Sequence, residues 1–216
     1  LSQDPDFPLV NHAISSIYPP GSTFKMTPAA AGLQEEVITP HTLLGDGEEL
    51  DGANDGVIWL PNKYFPWDRR QDRPFYCWVH KLGYGHGRAG LVPDARWKRQ
   101  AYGENWVTGD TYNMAIGQGY ILATPLQMLN ATAAVANGGY LYRPQLVYQI
   151  TDAAGKVQRD FAPELIRELP IAYEHLAVVR EGMYRAVNWE HGTATKAWLP
   201  DVAVAGKTGT AEFFAD

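Results

Sequence analysis

One octet near the start constrains this chain more than any other stretch: Tyr18-Pro19-Pro20-Gly21-Ser22-Thr23-Phe24-Lys25. The two prolines hold the backbone extended and Gly21 releases it. If a helix begins at Ser22, Lys25 lies one turn on, on the same face as the hydroxyl. A serine hydroxyl is a weak nucleophile at neutral pH and needs a neighbour to take its proton. A lysine can do so only where burial or nearby positive charge makes a neutral fraction available. The free N–H groups and dipole of a helix start favour a developing oxyanion. Ser-x-x-Lys alone also fits a capped helix with a surface lysine, because two common residues at fixed spacing recur by chance.

A second motif shifts that balance. About 180 residues downstream stands Val204-Ala205-Gly206-Lys207-Thr208-Gly209-Thr210, a small-residue strand pattern carrying Lys-Thr-Gly. Ser-x-x-Lys followed by Lys-Thr-Gly is a signature pair of penicillin-binding proteins and class A β-lactamases.

At 216 residues the chain can bury a core as one domain, 1–216, or as one domain with a small lobe. Hydrophobic content of 45% with 19% charged residues is that of a globular protein, not a disordered one. A net charge of −6 argues against nucleic acid or anionic lipid as partner. The single cysteine, Cys77, excludes an internal disulfide. No stretch approaches the roughly 18 apolar residues of a membrane span, and no signal peptide is visible. The chain opens at Leu1 and reads as an excised domain, so a missing anchor does not make the parent protein soluble.

Val10, Ile14 and Ile17 form a short apolar face leading to the serine, and Met26–Glu36 is alanine-rich and helical by propensity. Pro28 either kinks that helix or sits in the first turn of a fresh start capped by Thr27. Residues from about 37 to 95 lack periodicity and read as an irregular lobe of loops and short strands with scattered aromatics. Arg96-Trp97-Lys98-Arg99 reads as solvated surface, and the glycines of Ile116-Gly117-Gln118-Gly119 suggest close backbone approach or a tight turn. Thr124-Pro125-Leu126-Gln127 is a capping box opening an apolar helix that runs to Asn137-Gly138-Gly139. Tyr140 to Ile150 alternates as a strand, Asp152–Gly155 is a hairpin turn, and residues 172–189 have helical spacing.

With these residues in hand, the chain resembles the transpeptidase domain of class B penicillin-binding proteins of the penicillin-binding protein 2 type. The octet, Gly85-His86-Gly87-Arg88, Gly109-Asp110-Thr111, Ile116-Gly-Gln-Gly119, Ala123-Thr-Pro-Leu-Gln127, Asn137-Gly-Gly139, Gly192-Thr-Ala194 and Gly206-Lys-Thr-Gly-Thr-Ala211 carry the likeness in family order. The resemblance implies an α/β (α+β) fold of the serine β-lactamase kind, with an antiparallel sheet flanked by helices. It makes Ser22 the nucleophile, acylated by a peptidoglycan stem peptide or by a β-lactam, and Lys25 its base. Lys207 and Thr208 would bind the terminal carboxylate, and Gly209 would let the substrate approach. The N–H groups of Ser22 and Thr210 would form the oxyanion hole. The resemblance also implies a parent anchored in the cytoplasmic membrane, with its catalytic domain outside, beside a glycan-polymerising membrane partner.

The sequence departs from the family in three places. No serine follows Ser22, so the third family motif, Ser-x-Asn, is absent; Thr111-Tyr112-Asn113 has a similar shape in the wrong stretch. A helical segment of the family is missing between Arg88 and Ala89. The chain also ends at Asp216, where the family continues with core strands, which would leave the Lys-Thr-Gly strand with an open edge. No cofactor is required, but some relatives hold zinc in the irregular lobe. The matching positions are Asp46, Cys77 and His86, with a buried thiol beside two loop residues as the alternative. His12, His41, His175 and His191 read as surface. Two other readings stay open: a non-catalytic penicillin-binding fragment, and a serine β-lactamase, for which no water-activating loop is visible.

Overall fold

The computed structural model describes residues 10–42, 82 and 93–212. The octet enters as a strap pinned at two points. Tyr18 and Ala123 exchange backbone hydrogen bonds at 2.9 Å in both directions, and the Gly21 N–H donates to the Gly117 carbonyl at 2.8 Å. Gly21 then turns at φ +56°, a left-handed value that a side chain would resist. The short α1 (His12–Ser15) precedes the strap; Val10, Ile14 and Ile17 stay exposed, so the expected apolar face is not buried among the described residues.

From Gly21 to Lys25 the chain forms a 3₁₀ turn, and α2 (Met26–Gln34) follows directly. Every α2 residue from Met26 to Leu33 is buried. A helix buried on all sides needs small residues where neighbours cross, and Ala29-Ala30-Ala31-Gly32 supplies them. Pro28 is the third residue of α2, where its missing N–H falls among those that a helix start leaves unpaired. The fresh start is therefore the observed solution, although its cap is Lys25 rather than Thr27. The helix ends as Glu36 takes φ +55° and Val37 N–H returns to the Gly32 carbonyl at 3.1 Å, which buries Ile38.

Three helices follow: α3 (Ala95–Tyr102), α4 (Thr108–Ala115) and α5 (Pro125–Ala136), with the octet's partners Gly117 and Ala123 between the last two. The capping box of α5 forms as its sequence requires. The Gln127 N–H donates to Thr124 Oγ1 at 3.1 Å, and the Thr124 N–H donates to Gln127 Oε1 at 2.9 Å. Asp94 caps α3 by accepting from the Trp97 N–H, and Gly103 closes it at φ +71°.

The reading of residues 96–99 as solvated surface is corrected at one position. Arg96 and Arg99 are exposed, but Lys98 is only 4% exposed. Its ammonium lies 2.8 Å from Asp110 Oδ2 and 3.4 Å from Glu104 Oε2, and 5.4 Å from the centre of the Tyr120 ring. An ammonium can be buried here because the chain supplies a carboxylate for it.

Among the described residues the strands form two antiparallel pairs. β1 (Tyr140–Tyr142) pairs with β4 (Leu165–Glu168), and β2 (Gln149–Thr151) pairs with β3 (Val157–Asp160) across the Asp152–Gly155 turn. The continuous strand expected over Tyr140–Ile150 is thus broken in two. Pro144, which has no N–H to give a ladder, lies in the gap. The long helix α6 (Tyr173–Asn188) matches its expected span and packs on α2, with Leu176, Val179 and Val187 buried. Gln34 joins the two: its Oε1 accepts from the Ala172 N–H at 2.6 Å and lies 3.2 Å from His175 Nδ1. His175 is accordingly half-buried rather than on open surface. The core runs through Phe24, Leu33, Ile121, Val135, Leu141 and Leu176, each worth about 1.5–3 kcal/mol of burial. No helix among the described residues is long and apolar enough to cross a membrane.

Candidate active site

In a 3₁₀ helix the side chains at i and i+3 eclipse one another, so Ser22 and Lys25 share a face more strictly than in an α-helix. Ser22 is half-buried; Lys25 is 7% exposed, with the fully buried Phe24 beside it. The turn is braced from within, since the Thr23 hydroxyl donates to the Pro20 carbonyl.

The Lys-Thr-Gly segment meets this turn directly. A Cβ on Gly209 would lie 2.6 Å from Thr23 Cγ2, and one on Gly21 would lie 2.6 Å from the Thr210 carbonyl oxygen. Two glycines therefore let the segment press against the start of the turn that carries Ser22. Gln118 reaches the same place from the α4–α5 side, its Nε2 donating to the Thr210 carbonyl at 3.3 Å.

Residues 203–212 run without helix or ladder, so the expected strand is not formed as a strand among the described residues. The segment is held by α6 instead. The Gly206 N–H donates to the Met183 carbonyl at 3.0 Å, and Asn188 Nδ2 donates to the Val204 carbonyl at 2.7 Å. Lys207 Nζ donates to the Thr208 hydroxyl and carbonyl oxygens, both at 3.0 Å, and Thr208 Oγ1 lies 3.4 Å from Thr193 Oγ1. Thr208, Gly209 and Thr210 face solvent. A cavity of about 530 Å³ opens beside them, lined by Lys25, Met26 and Ala29, by Val178 and Met183 of α6, and by Lys207.

Ser22, Lys25, Gly209 and Thr210 thus converge on one turn, and Lys207 shares a cavity with Lys25. Asp46, Cys77 and His86 lie outside the described residues. Thr111-Tyr112-Asn113 falls within α4, where Thr111 is buried and accepts from Trp106 Nε1 at 2.8 Å. Sequence reasoning missed Gln118 and Thr193. The paired glycines around Gln118 signalled a close approach but not its target, and Thr193 stood only within the family stretch Gly192-Thr-Ala194, with no role attached.

A chain with a serine and a lysine on one turn, and a Lys-Thr-Gly segment against its start, has known relatives. The penicillin binding protein transpeptidase domain model matches residues 1–55 and 68–216. Peptidoglycan D,D-transpeptidase MrdA of Haemophilus influenzae is 32% identical over 96% of this chain and 36% of its own length. That of Escherichia coli K12 is 32% identical over 99% of this chain and 38% of its own. The chain therefore spans under two fifths of the length of these curated relatives. Among solved structures, Pseudomonas aeruginosa PBP2 in complex with WCK 5153 aligns with a TM-score of 0.73 at 30% identity, over 98% of this chain and 54% of that one. The Helicobacter pylori complex between PBP2 and MreC aligns with a TM-score of 0.72 at 26% identity, over 99% of this chain and 43% of that one. With its fold and its sequence in agreement, the chain belongs to the penicillin-binding protein transpeptidase family.

Proposed function

We propose that this protein is the catalytic part of a peptidoglycan D,D-transpeptidase. The observation that carries the reading is the meeting of Gly209 and Thr210 with the turn that bears Ser22 and Lys25. Ser22 Oγ attacks the penultimate D-Ala carbonyl of a stem peptide while Lys25 takes its proton. The oxyanion forms against the N–H groups of Ser22 and Thr210. The bond to the terminal D-Ala breaks, that residue leaves with a proton, and the acyl group stays on Ser22. The amine of a neighbouring stem then displaces Ser22 and closes the cross-link. Lys207 and Thr208 hold the terminal carboxylate. β-Lactams acylate the same hydroxyl because they mimic D-Ala-D-Ala.

The parent works at the cytoplasmic membrane, facing the wall, with a glycan-polymerising partner. Two similar solved structures support this: one titled for polymerization and crosslinking by a peptidoglycan synthase complex, the other pairing PBP2 with MreC. A structural zinc held by Asp46, Cys77 and His86 belongs to the same reading. Carboxylate, thiolate and imidazole are zinc's usual ligands. Metal analysis of the wild type against Cys77→Ser tests it, with loss of zinc expected.

One observation favours a second reading. With no serine after Ser22, the chain lacks the Ser-x-Asn motif, so it could take an acyl group and fail to turn over. Turnover of a D-Ala-D-Ala thioester with a D-amino-acid acceptor separates the two. Transfer to the acceptor supports the transpeptidase, and an acylated, idle protein supports the second reading.

A further inference from the structure

Gln118 is fixed at its root before its side chain makes any contact. Its N–H donates to the Asn113 carbonyl at 2.8 Å, and the Gly117 N–H donates to the Met114 carbonyl at 3.0 Å. It stands between Gly117 at φ +78° and Gly119 at φ +70°. On its far side, Tyr120 packs its ring 5.4 Å from that of Trp97 and 5.2 Å from that of Tyr102. Gln118 is thus a short arm on a rigid base.

That arm ends on one atom. Its Nε2 donates to the Thr210 carbonyl at 3.3 Å, across 92 residues of sequence. This is the one hydrogen bond the Thr210 carbonyl accepts among the described residues. The same oxygen lies over Gly21, where a Cβ would come within 2.6 Å of it. Thr210 is therefore stopped by Gly21 on one side and held by the Gln118 amide on the other. Among the described residues the Lys-Thr-Gly segment has no ladder partner.

We propose that Gln118 is a positioning residue for the oxyanion hole: by holding the Thr210 carbonyl it keeps Thr210, and with it the Thr210 N–H, against the turn that carries Ser22. The inference rests on the proposed transpeptidase reading, in which that N–H stabilises the tetrahedral oxyanion. A donor that is misdirected loses a transition-state contact without changing how substrate first binds. The effect therefore falls on the acylation step.

Stopped-flow acylation of the 216-residue chain by benzylpenicillin resolves the acylation rate constant from the dissociation constant of the preceding complex. Gln118→Met keeps the size and removes the donor; Gln118→Glu places an acceptor against the carbonyl. The expected result is an acylation rate roughly ten- to a hundredfold lower in both, with the dissociation constant within about twofold and Tm unchanged. An unchanged rate in either folded variant overturns the inference and leaves the transpeptidase reading intact. A fall in rate accompanied by weaker binding and lower Tm makes Gln118 merely structural, and overturns it too. A wild type that takes no penicillin overturns both together, so the two failures are told apart.

Discussion

Gly117 backs directly onto Gly21. A Cβ on Gly117 would collide with the Gly21 carbonyl oxygen, and the Gly21 N–H already donates to the Gly117 carbonyl at 2.8 Å. Both residues take left-handed φ values, so two strained-for-others positions are stacked at the base of the turn that carries Ser22. The start of that turn is placed by backbone against backbone, with no side chain able to yield.

Gly117→Ala is therefore expected to cost about 2–4 kcal/mol of stability, from left-handed strain and overpacking together. Gly209→Ala is expected to cost far less, because the Thr23 methyl in its way belongs to a side chain that can move. It should instead slow acylation about tenfold, since the side chain that yields is that of Thr23, which braces the turn beside Ser22. Urea denaturation and penicillin acylation of the two variants check the contrast.

The buried pair of Lys98 and Asp110 gives a prediction with a pH sign. The hydrogen bond to Asp110 holds the Lys98 ammonium above its ordinary pKa, with the carboxylate's charge adding to it and desolvation opposing. A folded-state pKa raised above the unfolded value gives stability that is full below about 10.5 and is lost as pH rises through the folded value. Asp110→Asn should lower Tm at pH 7, and the gap from wild type should narrow above pH 10.5. Asp110 Oδ2 also accepts from the Val107 N–H at 2.8 Å, so fraying at the start of α4 should accompany the loss.

The α5 cap has a simpler outcome. Thr124→Ala removes the acceptor for the Gln127 N–H and should cost about 1 kcal/mol, read as a shift of the denaturation midpoint. Pro125 keeps the first turn preset, so the helix itself should persist.

Asp152 organises the β2–β3 turn. Its carboxylate accepts from the Ala154 and Lys156 N–H groups at 3.0 and 2.9 Å, and from Gln158 Nε2 at 2.9 Å. The Lys156 N–H contributes most to holding its pKa below the usual 3.8. Its stabilisation is thus present above pH 3.8 and lost as pH falls through the lowered value. Amide exchange at Lys156 should show protection at neutral pH that Asp152→Ala abolishes.

The parts legible in the sequence were those whose cause is local. The α5 capping box, the Asp152 turn and the apolar spacing of α6 each lie within a few residues, and each formed as written. Lys98 was misread because its carboxylate stands twelve residues away on another helix, and charge beside charge looks like surface until the partner is seen. The Gln118 arm was invisible for the same reason at greater range. The octet announced its serine and lysine but not the 3₁₀ winding that eclipses them. That winding occurs where Gly21 is clamped between Gly117 and Thr210.

The central claim is that Ser22 is an acyl acceptor, and intact-mass measurement after incubation with benzylpenicillin tests it most directly. The account predicts one stable adduct on the wild-type chain, at Ser22, and none on Ser22→Ala. A folded wild-type protein that gains no mass, or a Ser22→Ala protein that gains the same mass, would contradict it.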